Sequence, residues 1–125
     1  MNVDKHIAYW LDGIPRAMRG VPIMLQAGLK LEALFFTHLA LEKAFKARVV
    51  ERTHTVPPKT HNLKRLAELA EIELSRDQRR FCDALVRYQV LTRYEDFEYE
   101  EPLADDVAEI VRQAEDMMKW LIEKL

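Results

Sequence analysis

Apolar residues recur every three or four positions along most of the chain, the signature of helices with one buried face. Val3, Ile7, Leu11, Ile14, Met18, Val21 and Leu25 mark a first helix over 3–28. Gly13, Pro15, Gly20 and Pro22 lie inside it. Each interior proline removes a hydrogen bond and crowds the carbonyl four residues back, here Leu11 and Met18. The expectation is a kink or break between Gly13 and Pro22, with Gly28 as the C-terminal cap. The second stretch, about 30–52, has another pattern. From Ala33 to Leu41 only Thr37 and His38 are polar, so apolar groups point in every direction, as in a helix enclosed by neighbours. Its second half brings Glu42, Lys43, Lys46, Arg48, Glu51 and Arg52 beside the stripe Leu41, Phe45 and Val49. That predicts a helix buried at its start and ending in a charged, partly exposed collar.

Pro57 and Pro58 stop the second helix by forcing extended backbone. A short third helix over about 61–72 follows, with Leu63, Leu66, Ala67 and Ala70 inward and Thr60 or Asn62 as its cap. Ser75-Arg76-Asp77-Gln78 is a capping box that opens a fourth helix. Its stripe is Phe81, Leu85, Tyr88 and Leu91, flanked by Cys82 and Thr92, and it ends near Tyr94 or Glu95. The acidic run EDFEYEEP leads to Pro102, near the first turn of a fifth helix. Leu103, Val107, Ile110, Val111, Ala114, Met117, Met118, Leu121 and Leu125 form that helix's inner face. Asp105 and Asp106 in its first turn, with Lys119 and Lys124 in its last, suit the helix dipole. No stretch alternates with period two. The fold class is all-α: an antiparallel up-down bundle of four main helices and one short one, in a single domain over 1–125.

Charge narrows the function classes. The chain has 19 basic and 21 acidic residues, a net charge of -2, and so no global basic field for non-specific nucleic-acid binding. No apolar run approaches the ~20 residues of a membrane span, and no signal peptide is visible, so a cytoplasmic protein is expected. Cys82 cannot form an internal disulfide and reads as a small core or boundary residue. Phosphate loops, dinucleotide fingerprints, paired cysteines and HExxH are all missing, and no cofactor is expected. His38 and Glu42 share a helix face, but two ligands are too few for a zinc site. A buried histidine hydrogen-bonded to its i+4 glutamate is the simpler reading, and no metal is expected.

Two constellations remain. Lys43 and Lys46 share a face of the second helix, and Lys59 and His61 flank the N-terminus of the third, where free N–H groups favour an anion. Together they could hold a phosphate; they also fit a solvated charged face with Glu42 paired to Lys46. The second constellation is Arg93 and Tyr94, followed by Glu95, Asp96, Phe97, Glu98 and Tyr99. Arginine's rigid fork of donors suits phosphate, and it could equally neutralise its acidic neighbours.

The run HLALEKAFKA, then PPKTHNLKRL, then RYED resembles the HEPN domain, the higher eukaryote and prokaryote nucleotide-binding domain. That family has an xxAxEKxxKA helix, a proline-rich loop, a T-H-[DN]-L helix start and a later R-Y-x-[DE] segment. The resemblance implies a helical bundle that homodimerises. It also implies, for small stand-alone members, partnership with a minimal nucleotidyltransferase and binding of a nucleotide or nucleotide-bearing partner. Some members are metal-independent, toxin-like ribonucleases that use an arginine and a histidine with four to six residues between them. Here Arg93 matches the arginine, but Glu98, Tyr99 and Glu100 follow and none is histidine. RNA is therefore disfavoured. The catalytic candidates reduce to Arg93, Glu98 and Tyr99, the last standing where some nucleotidyltransferase-paired members carry a nucleotide-accepting tyrosine. The implied ligand site consists of Lys43, Lys46, Lys59, His61, Arg93 and Tyr94.

Overall fold

The structure, a computed structural model, describes residues 1–93 and 102–125, and for 90–93 the backbone alone. Five helices make up the described chain: α1 (Val3–Gln26), α2 (Lys30–Thr53), α3 (Leu63–Leu69), α4 (Arg76–Arg93) and α5 (Ala104–Ile122). The described residues contain no strand. The architecture is the all-α bundle that the apolar periodicity predicts, four long helices and one short.

α2 is the axis. The other four helices all pack on it, and Ala33, Leu34, Ala40, Leu41, Phe45, Ala47 and Val50 are fully enclosed. Burial does not stop where the charges begin. Glu42 is only 3 % exposed and Lys46 only 6 %, whereas Lys43, Arg48 and Glu51 are half-buried and Arg52 is exposed, so the partly exposed collar forms except at Glu42 and Lys46. At Glu42 and Lys46 the packed neighbours leave little route to solvent, and those two charges must be satisfied inside. Arg48 also bonds inward: its Nη1 donates to the Leu121 carbonyl at 3.1 Å, satisfying an orphan group in the last turn of α5.

α1 runs unbroken through Pro15 and Pro22, so of the kink or break expected between Gly13 and Pro22 the break does not occur. The two prolines forfeit local hydrogen bonds. Packing of Ile14, Ala17, Met18 and Val21 against α2 extends over the whole helix and outweighs that loss. α1 ends in a Schellman motif: Leu29 N–H donates to the Met24 carbonyl at 2.8 Å and Gly28 N–H to the Leu25 carbonyl at 3.1 Å. Gly28 has φ +77°, the left-handed conformation that motif requires. With only Ala27–Leu29 between them, α1 and α2 form an antiparallel hairpin.

The capping box at α4 is present, with Ser75 N–H donating to Gln78 Oε1 at 2.9 Å and Gln78 N–H to Ser75 Oγ at 3.1 Å. On α5, Val107, Ala114, Met117, Met118 and Leu121 are buried, but Leu103 is 70 % exposed and Leu125 41 %. Both lie just outside the helix, so neither belongs to its inner face. α4 and α5 leave a groove of about 710 Å³ between them, walled by Phe81, Tyr88, Ile110 and Trp120.

Candidate functional site

Glu42 organises a cluster of ionisable groups at the middle of α2. Its Oε2 accepts from Lys46 Nζ at 3.1 Å, one turn along the helix. Its Oε1 lies 2.9 Å from Nδ1 of His61, which arrives from the loop after the two prolines. The extended backbone that Pro57 and Pro58 impose carries the chain back toward α2 and sets His61 against it. His38 Nδ1 is 3.8 Å from the same oxygen, beyond hydrogen-bond distance. The His38–Glu42 hydrogen bond expected from their spacing is therefore not made, because Lys46 and His61 occupy the carboxylate. Among the described residues no three histidine, cysteine or acidic groups are placed to hold one metal ion.

Trp10 of α1 adds an aromatic face. Lys46 Nζ stands 5.2 Å from its ring centroid and Lys43 Nζ 5.4 Å, both within cation–π range. The two lysines therefore meet on one indole. Their states differ: Lys46 is buried and neutralised by Glu42, whereas Lys43 is half-buried and has no ion pair among the described residues. A solvated Glu42–Lys46 surface pair is thus replaced by a buried one.

Lys43 reaches Trp10 across Gly13. A Cβ built on Gly13 would stand 2.7 Å from Lys43 Cδ and 3.0 Å from Cε, so the missing side chain is the channel for the lysine stem. Around it, a cleft of about 430 Å³ between α1 and α2 is lined by Asp12, Arg16, Phe36 and Tyr9 as well as Lys43. Two cations and one carboxylate face this cleft, a balance that favours an anion.

The structure brings together Lys43, Lys46 and His61, through Trp10 and Glu42. Lys59 is exposed in the loop and takes no part in the Glu42 network. At the N-terminus of α3 one backbone donor is taken, with Arg65 N–H donating to Asn62 Oδ1 at 3.1 Å, and His61 lies against Glu42. The Arg93 side chain, Tyr94, Glu98 and Tyr99 lie outside the described residues. Trp10, Gly13 and Arg16 are additions. Trp10 falls three residues after Ile7 and four before Ile14, on the stripe that faces α2, and that spacing was the available signal.

Cys82 is 2 % exposed, and burial pushes its thiol up to about 12, with Asp83 raising it further and Lys64 opposing. A thiol held protonated is no nucleophile. No helix of the described residues is long and apolar enough to cross a membrane.

The family model for the HEPN domain matches residues 16–125. No curated protein and no solved structure matches the chain significantly. The matched stretch includes α2, the proline loop with His61, and the helices that enclose them, so the Glu42 cluster lies within it apart from Trp10. The chain belongs to the HEPN domain family.

Proposed function

We propose that the protein is a nucleotide-binding HEPN subunit, homodimeric and paired with a minimal nucleotidyltransferase, whose anion site is centred on Lys43. The observation that carries this reading is the half-buried Lys43 ammonium, held on Trp10 with no acidic partner among the described residues, beside a cleft that also holds Arg16. An ammonium in such a place gains more from a phosphate than one on an open surface, because fewer waters compete. Lys46 and His61 shape the site by fixing Glu42 and the indole. Arg93 and Tyr94 are assigned to the same ligand on the strength of the family motif, Arg93 at the phosphates and Tyr94 stacking or hydrogen bonding.

A titration of the purified protein with ATP and the other nucleoside triphosphates, with and without a co-expressed nucleotidyltransferase, tests this. Saturable binding that weakens at least tenfold in Lys43→Met is the expected result. No binding in either form removes the reading. Family membership also supports a second reading, a metal-independent ribonuclease. Cleavage of total RNA that survives a chelator and is lost in Arg93→Ala would establish it in place of the first.

A further inference from the structure

The first turns of α1 and the loop after α2 border an open pocket of about 500 Å³ that the phosphate reading leaves unused. Asn2, Lys5, His6, Tyr9 and Trp10 line it from the helix side, and Val56 lines it from the loop. Half of these side chains are aromatic or imidazole rings, and none is acidic. Tyr9 and Trp10 meet edge to face, with centroids 5.0 Å apart and planes at 78°. Tyr9 is 66 % exposed and Val56 65 %, so two large apolar groups stand in water on either side of one opening. Nothing in the packing of the bundle requires them there.

The pocket is not isolated from the cations. Trp10, one of its walls, carries the Lys43 and Lys46 ammonium groups. Tyr9, another wall, also lines the cleft that holds Lys43 and Arg16. An aromatic pocket and a cationic cleft therefore share a single side chain as their partition. A ligand that fills both has a flat ring system at one end and an anionic group at the other.

We propose that this pocket takes the base of a bound nucleotide, stacked on Tyr9 or Trp10, with the phosphates directed past Tyr9 to Lys43 and Arg16. The phosphate half of the assignment rests on the function proposed above; the base half stands on the pocket itself. Its size is in the range of small-ligand sites and suits one nucleoside unit. Stacking tolerates any base, since each has a π-face. Asn2 Oδ1 accepts from Lys5 N–H at 3.1 Å, and the Asn2 Nδ2 amide, His6 and the Lys5 ammonium are polar groups able to meet a base edge. Residues 2–10 precede the stretch matched by the family model, so the helix side of this pocket comes from sequence outside it and only Val56 from within.

Trp120→Phe leaves Trp10 as the sole indole, because the chain has 2 tryptophans. Its fluorescence is followed while ATP, adenosine or inorganic tripolyphosphate is added, and the affinities are measured by calorimetry on the otherwise unaltered protein. ATP is expected to quench Trp10 and to bind at least tenfold more tightly than tripolyphosphate. Tyr9→Ala, at an exposed position that the fold does not need, is expected to lower ATP to the affinity of tripolyphosphate. If ATP and tripolyphosphate bind equally and Tyr9→Ala changes neither, the base pocket is wrong while the phosphate site stands. If neither binds, both fall. A short single-stranded RNA that quenches Trp10 when ATP does not would overturn the mononucleotide assignment.

Discussion

At Glu42 a single carboxylate answers to a lysine from its own helix and a histidine 19 positions away, with side-chain exposure of only 4 %. Removing it leaves Lys46 buried without its counter-charge. Glu42→Ala should therefore cost about 3 kcal/mol or more by urea unfolding, and a Glu42→Ala/Lys46→Met double variant should recover most of that loss. A single-variant loss under about 1 kcal/mol would show that the pair is effectively solvated. Gly13 should behave in the opposite way. Gly13→Ala gains helix propensity, up to about 1 kcal/mol, because the clashing atoms belong to a flexible lysine stem that can move. It should nevertheless displace Lys43, shift the tryptophan emission and weaken nucleotide binding. Cys82 should resist iodoacetamide at about pH 8 in the folded protein and react on unfolding. Its folded thiol titrates at about 12 against 9.0 for the ordinary group, so between those values only the unfolded chain gives up the proton. Stability should fall as pH rises through that window, and Cys82→Ala should lack this component. Lys43, Lys46 and His61 could be picked out from spacing and residue type alone. Trp10 and Gly13 could not be joined to them, because their part depends on how α1 is registered against α2, which no local pattern encodes.

The helices themselves were largely legible. Period 3.6 in the apolar residues, the Ser75–Gln78 capping box and Gly28 at the end of α1 all correspond to what forms. α1 departed from expectation because a proline penalty is local, whereas the burial opposing it accumulates over 24 residues. Pro15 is exposed and contributes little packing, so Pro15→Ala should restore the bond to the Leu11 carbonyl and stabilise the protein by about 1–3 kcal/mol. A lower urea midpoint for Pro15→Ala would mean that the ring has a structural role. α3 is capped as expected, by Asn62. Its N–H groups were read as open to an anion, but Asn62, one of its two candidate caps, already satisfies one of them. α2's charged half was read from composition, and composition says nothing about how many neighbours surround a helix. With α1, α3, α4 and α5 all packed on α2, even a lysine there is buried.

Across the whole molecule, the central helix carries both the core and the charged cluster, so folding the bundle and assembling the site are one event. The first helix supplies the aromatic wall, the proline loop supplies His61, and the cationic cleft opens where α1 crosses α2. Bundle class and family were legible because they rest on summed periodicity and on motifs spread from residue 38 to residue 96. The position proposed for the ligand was not, because it depends on surfaces from three segments meeting. A backbone amide spectrum of the isotope-labelled protein, recorded as ATP is added, tests that location most directly. Shifts concentrated at residues 5–16, 42–46 and 56–61 are the predicted result. No shifts, or shifts confined to the groove between α4 and α5, would contradict it.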